Sequence, residues 1–100
     1  MQILAILKLE EEVTPDKMGP HLDAEVKHTL EAYLDGHIRN FWFRADRAGV
    51  VFMLESTDED EARRVLAELP LAVAGLANFE LIPLKPLQPL GRLIGREISS

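Results

Sequence analysis

The chain has 100 residues, 47% of them apolar and 28% charged, with a net charge of −6. That balance is typical of one globular domain, and the net negative charge disfavours nucleic-acid partners, whose phosphates need clustered Lys and Arg. No run reaches the ~18 consecutive apolar residues of a membrane span, and with no cysteine, disulfides, thiolate nucleophiles and thiolate metal ligands are excluded.

The first apolar run, Ile3 to Leu9, is nearly continuous, as expected for a central strand buried on both faces. It is short for a signal peptide and has no basic segment before it, so a cytoplasmic location is expected. The acids of Glu10-Glu11-Glu12 and of Asp58-Glu59-Asp60-Glu61 stand before or at expected helix starts, where the helix dipole favours them. Thr14-Pro15-Asp16 predicts a helix N-terminus: cap, first-turn proline, first-turn acid. Met18, Leu22, Val26, Leu30, Tyr33 and Leu34 follow at spacings of three and four, one apolar helix stripe. Gly19-Pro20 predicts a kink or restart, and Gly36 closes the helix.

His37 to Arg44 holds three consecutive aromatics and no helix signal, which predicts a strand. Asp46-Arg47-Ala48-Gly49 is a turn, and Val50 to Glu55 returns as the second arm of a hairpin. Thr57 with Asp60 predicts a capped second helix buried through Ala62, Val65, Leu66 and Leu69 and stopped by Pro70. Leu71 to Ala77 occupies a loop position yet is wholly apolar. Phe79-Glu80-Leu81-Ile82 is the last strand.

The order strand, helix, strand, strand, helix, strand is the ferredoxin-like βαββαβ fold of the α+β class. It places two helices on one face of a four-stranded antiparallel sheet and leaves the other face uncovered. The first and third strands are apolar on both faces, so the uncovered face keeps an apolar patch larger than monomers usually expose. Self-association, as a homodimer or larger ring, is therefore expected. Residues 1–84 form the expected domain. Residues 85–100 form an extended arm that carries on a proline-leucine alternation running from Pro83 to Leu90; it has no place in the core and is suited to packing on a neighbour.

The element order, Gly36-His37-Ile38-Arg39 at the second strand, Leu69-Pro70-Leu71 after the second helix and Ile82-Pro83-Leu84 at the last strand together resemble muconolactone delta-isomerase-like proteins of the dimeric α+β barrel superfamily. The resemblance runs from about Met1 to Leu84 and implies two sheets packed face to face as a barrel. It also implies a small cofactor-independent isomerase moving a proton on a carbonyl or lactone-like metabolite. A non-catalytic ligand-binding or assembly module and a cofactor-free monooxygenase are the alternatives. The N-terminal strand and the longer proline-leucine tail depart from the isomerase proper, and fold alone does not fix function.

Several groups could carry chemistry. Asn40, Trp42 and Arg44 alternate on one strand face, together with Ile38, and Glu80 is expected on the same side, where it could neutralise Arg44. An apolar wall, an anion fork and an amide suit a small carboxylate or carbonyl ligand. They equally suit a polar seam between copies. His37 and Arg39 lie on the other face. The resemblance implies a substrate between sheet and helices, which makes them the catalytic candidates, with His37 able to shuttle a proton near neutral pH. His21, Glu25 and His28 form a helical row at i, i+4 and i+7 that could bind zinc. The row lies well around the helix from the apolar stripe, so it is expected to face solvent, and no metal is expected. No phosphate loop or nucleophile elbow is present.

Overall fold

A computed structural model describes residues 1–10, 12–87 and 94–95. The expected elements form in the expected order: β1 (Gln2–Leu9), α1 (Pro15–Leu34), β2 (Ile38–Phe43), β3 (Val50–Glu55), α2 (Glu59–Ala67) and β4 (Ala77–Leu84), with one added helical turn, α3 (Pro70–Val73). The strands make one antiparallel sheet in the order β2-β3-β1-β4. This is an α+β architecture whose long apolar β1 lies between β3 and β4.

Local chemistry sets the boundaries. The Thr14 hydroxyl accepts from the Lys17 amide at 3.3 Å, capping α1. At the other end the Gly36 and His37 amides donate to the Tyr33 and Ala32 carbonyls at 3.1 and 3.0 Å. That closure needs a left-handed residue, and Gly36 supplies it at φ +86. Two expectations shift here. Helix α1 runs unbroken through Gly19-Pro20, since a proline within the first turns forgoes few intrahelical bonds. Helix α2 is capped by Asp58, which accepts from the Glu61 amide at 2.8 Å. Thr57 instead stands one residue outside and hydrogen-bonds the Glu61 carboxylate through its hydroxyl.

The core lies between sheet and helices. Ile3, Ala5, Ile38, Phe52, Leu54, Ala62, Leu66 and Leu69 make one buried cluster, and Leu7, Leu71 and Ala77 a second. The apolar segment after α2 is therefore core at Leu71 and Ala77, while Val73 between them stays exposed. Pro70 stops α2 and opens α3, which turns Leu71 inward, and Ala77 already belongs to β4. No described element covers the opposite sheet face. Leu4 is flanked there by Met53 and Ile82, and Ile6 by Val51 and Glu80. Trp42, Ile82 and Leu84 are exposed on the same face.

A bulge in β2 decides which side chains join that face. Ile38 pairs with Leu54 and Asn40 with Met53, so Arg39 is the extra residue. The insertion reverses the alternation. Ile38 turns wholly into the core, while Asn40 and Trp42 point to the open face. The grouping of Ile38 with Asn40, Trp42 and Arg44 is thus corrected. The described part of the arm, 85–87, is exposed. The remaining arm contacts expected of Leu90, Leu93 and Ile98 lie outside the described residues.

Candidate functional site

Helix α1 is rolled differently from what its composition suggests. Apart from Met18, its apolar stripe is turned away from the core, with Leu22, Val26, Leu30 and Tyr33 each about half exposed and Leu34 81% exposed. The inward row is Met18, His21, Glu25, Thr29 and Ala32, all half-buried. Met18 and Ala32 at its ends pack against the two core clusters. The row expected to face solvent therefore carries its central carboxyl, Glu25, into the interior.

Both carboxylate oxygens of Glu25 are shielded from solvent and have no hydrogen-bond partner among the described residues. Burial pushes the Glu25 carboxyl above the usual range. The backbone N–H of Leu71, in the first turn of α3, and the His28 and His21 side chains pull the other way but do not offset it. The Leu71 amide approaches without reaching hydrogen-bond geometry. A carboxyl held this way keeps its proton closer to neutral pH than an exposed one, the condition a general acid–base group needs. The same row does not make a metal centre: among the described residues no three His, Asp or Glu side chains converge as ligands.

Beside this row, α1 and α2 diverge over the start of β2 and leave a cleft of about 330 Å³. It is lined by His28, Glu31 and the cap residue Asp35 at the end of α1, His37 from the α1–β2 turn, Glu61 and Arg64 from α2, and Glu68, which caps α2. His28 belongs to both features, since it lines the cleft and acts electrostatically on Glu25 one turn away. His37 Nδ1 stands 3.8 Å from Glu61 Oε1. Hydrogen bonds from Thr57, with a smaller contribution from His37, hold the Glu61 carboxyl below its usual value.

The sequence candidates separate in space. His37 is in the cleft, whereas Arg39 is exposed at the bulge with its guanidinium beside Gly36. Asn40 and Trp42 lie on the open sheet face. Glu80 reaches that face too, but β4 and β2 are opposite edges, three strand spacings or roughly 14 Å apart. Glu80 pairs with Lys8 at 3.3 Å, and Arg44 grips both oxygens of Asp46 at 2.9 and 2.7 Å. That fork holds the Asp46 carboxyl below its usual range. The expected neutralisation of Arg44 by Glu80 does not occur within the chain.

The architecture has counterparts among solved structures. A crystal structure of muconolactone isomerase superimposes with a TM-score of 0.69 at 18% identity, covering 86% of this chain and 90% of that one. The chain has the muconolactone isomerase fold. A second structure with this fold, the 5-chloro-2-hydroxyhydroquinone dehydrochlorinase TftG of Burkholderia phenoliruptrix AC1100 in complex with 2,5-dihydroxybenzoquinone, matches with a TM-score of 0.62. There too the identity is 18%, and 85% of this chain and 94% of that one are covered. No protein family and no curated protein matches the sequence. Among the described residues no helix is long and apolar enough to cross a membrane.

The acid at the centre of the site was visible in the sequence only as the middle of a His-Glu-His row. A signal did exist: an acid flanked by two histidines is costly to place on an inward row without a reason. Periodicity alone assigned that row to solvent, because apolar residues mark which helix face is buried without naming what buries it.

Proposed function

We propose that this protein is a small cofactor-independent enzyme that transfers a proton on a small carbonyl or lactone-like metabolite, with Glu25 as the acid–base group. The observation that carries the reading is the Glu25 carboxyl: shielded, unpartnered and raised in pKa, on the helix row that faces the core. Enzymes tune carboxyls this way so that one group can both take and return a proton near neutral pH. His28 provides a titratable neighbour between Glu25 and the cleft, and His37 a second on the cleft's far wall. Isomerisation of a double bond relative to a carbonyl needs a proton removed at one carbon and returned at another, which one such carboxyl can do.

The two structural counterparts support the substrate class. One is named for a lactone and the other for a hydroxylated hydroquinone and its quinone ligand. Both are small oxygenated compounds with acidic C–H or O–H groups. A module that only binds or assembles is the second reading, favoured by the uncovered apolar sheet face, on which Asn40, Trp42 and Arg44 would form a polar seam between copies. Self-association through that face belongs to both readings.

Solvent exchange separates them. In D2O, a panel of unsaturated γ-lactones and cyclic 1,3-dicarbonyls is followed by NMR for deuterium uptake next to the carbonyl. The wild-type chain is expected to accelerate exchange of at least one class, and Glu25→Gln to slow it by roughly 10²–10⁴-fold, the usual worth of one acid–base group. Exchange that proceeds equally in Glu25→Gln removes Glu25 from the chemistry, and no acceleration across the panel favours the binding module.

A further inference from the structure

The roll of α1 that brings Glu25 inward leaves a surface that neither the core nor the uncovered sheet face accounts for. Leu22, Val26, Leu30 and Tyr33 line the outer side of α1, and Phe41 and Phe43 continue the patch on the helix side of β2. The Tyr33 and Phe41 rings meet edge to face at 5.8 Å, so helix and strand present one continuous surface. The exposed fractions are 47% for Leu22 and Leu30, 58% for Val26, 48% for Tyr33, 44% for Phe41 and 88% for Phe43. For side chains of these sizes that is on the order of 700 Å². A monomer's largest apolar patch is about 300–600 Å², whereas each side of a standard protein–protein interface contributes about 800 Å².

We infer that this surface is an interface between two copies of the chain, a two-fold contact of α1 against α1 centred on Val26. The row itself is self-complementary. A two-fold axis at Val26 runs the helices antiparallel and sets Leu22 of each copy against Leu30 of the other. The same operation brings Tyr33 opposite Gly19. Gly19 lies on the same side of the helix, and a Cβ placed there would meet nothing within 4 Å. The bulkiest residue of the row thus meets the barest.

The contact is separate from the uncovered sheet face, because Phe41 and Phe43 point to the helix side and Trp42 away from it. A chain with two different two-fold interfaces builds even-numbered assemblies of at least four copies. Should the sheet face remain single, the α1 contact alone gives a pair.

Charge complementation at Val26 tests the pairing. Val26→Glu and Val26→Lys each place like charges against each other across the axis. Each variant is expected to lose half or more of the wild-type assembly mass in native mass spectrometry at micromolar concentration, with unchanged far-UV circular dichroism. Mixed in equal amounts they are expected to recover the wild-type mass as one-to-one hybrids, which only a residue facing its own copy allows. A second variant does not depend on charge. Val26→Cys, in a chain otherwise free of cysteine, should be linked to a 22 kDa pair, two chains of 11.2 kDa, by a short bismaleimide. Unchanged mass in both charged variants overturns the inference, as does disassembly that mixing fails to reverse. The latter result would assign the patch to another part of the neighbour, such as its proline-leucine arm.

Discussion

Replacing Glu25 with methionine should stabilise the protein at neutral pH while abolishing proton transfer. The side chain is similar in length and methionine forms helix about as well as glutamate, so what changes is the carboxyl. In the folded chain that carboxyl has neither solvent at its oxygens nor a hydrogen bond. Leaving a buried polar group unsatisfied costs about 1–3 kcal/mol. Because the residue as a whole is only half-buried, the lower part of that range, about 1–2 kcal/mol, is expected here. For a domain of this size each kcal/mol moves the melting temperature by roughly 4–8 °C. The pH dependence fixes the cause. The folded-state pKa is raised above the usual 4.5, so below that value the group is protonated whether folded or not and carries only the cost of a neutral polar group without a hydrogen bond. As pH climbs past 4.5 the unfolded chain releases the proton while the folded chain holds it, and stability falls until the folded pKa has been passed. The advantage of Glu25→Met should therefore be smaller at pH 4 and grow as the pH rises, until the folded-state pKa has been passed. Charged groups remote from Glu25 are common to both proteins and largely cancel in the difference. Thermal melts of both proteins between pH 4 and 8 measure it. A variant that melts at or below wild type at pH 7, or a gain independent of pH, would refute the account of Glu25 as a desolvated carboxyl.

Two further outcomes follow from other parts of the fold. Met53 sits mid-sheet on the uncovered face against Leu4 and Asn40, so Met53→Glu should lower the assembly mass in sedimentation velocity while circular dichroism is retained; an unchanged mass would free that face of any role in self-association. Asp58 caps α2 through the Glu61 amide, so Asp58→Ala should cost about 0.5–2 kcal/mol in urea unfolding, and a loss no larger than for an exposed Asp60→Ala would contradict the cap.

The backbone of this protein was largely legible in its sequence because its signals are local. Thr14-Pro15 and Gly36 bracket α1, and a run such as Val50–Glu55 between turn and cap can hardly be anything but a strand. What the sequence concealed is rotational. The bulge at Arg39 turns Ile38 away from Asn40 and Trp42, and one inserted residue of that kind leaves no mark on composition. The Arg44–Glu80 pairing failed for a related reason, since strand order, not face, decides which side chains can touch. The roll of α1 is the deepest of these errors. An amphipathic stripe states that one helix face avoids water, and the habit of assigning that face to the chain's own sheet assumes a monomer. Here the half-buried row is Met18, His21, Glu25, Thr29 and Ala32, while Leu22, Val26 and Leu30 remain outside. Such an arrangement is unfavourable for an isolated chain twice over, once for the desolvated Glu25 and once for the wet leucines. Both costs become intelligible together: pairing the outer stripe with a second copy removes it from water and fixes the roll that keeps an unpaired carboxyl inside. Assembly and acid–base chemistry would then be two consequences of one helix orientation, so a change that frees α1 to turn should raise the exposure of Glu25 and return its pKa toward 4.5 at the same time as the assembly dissociates.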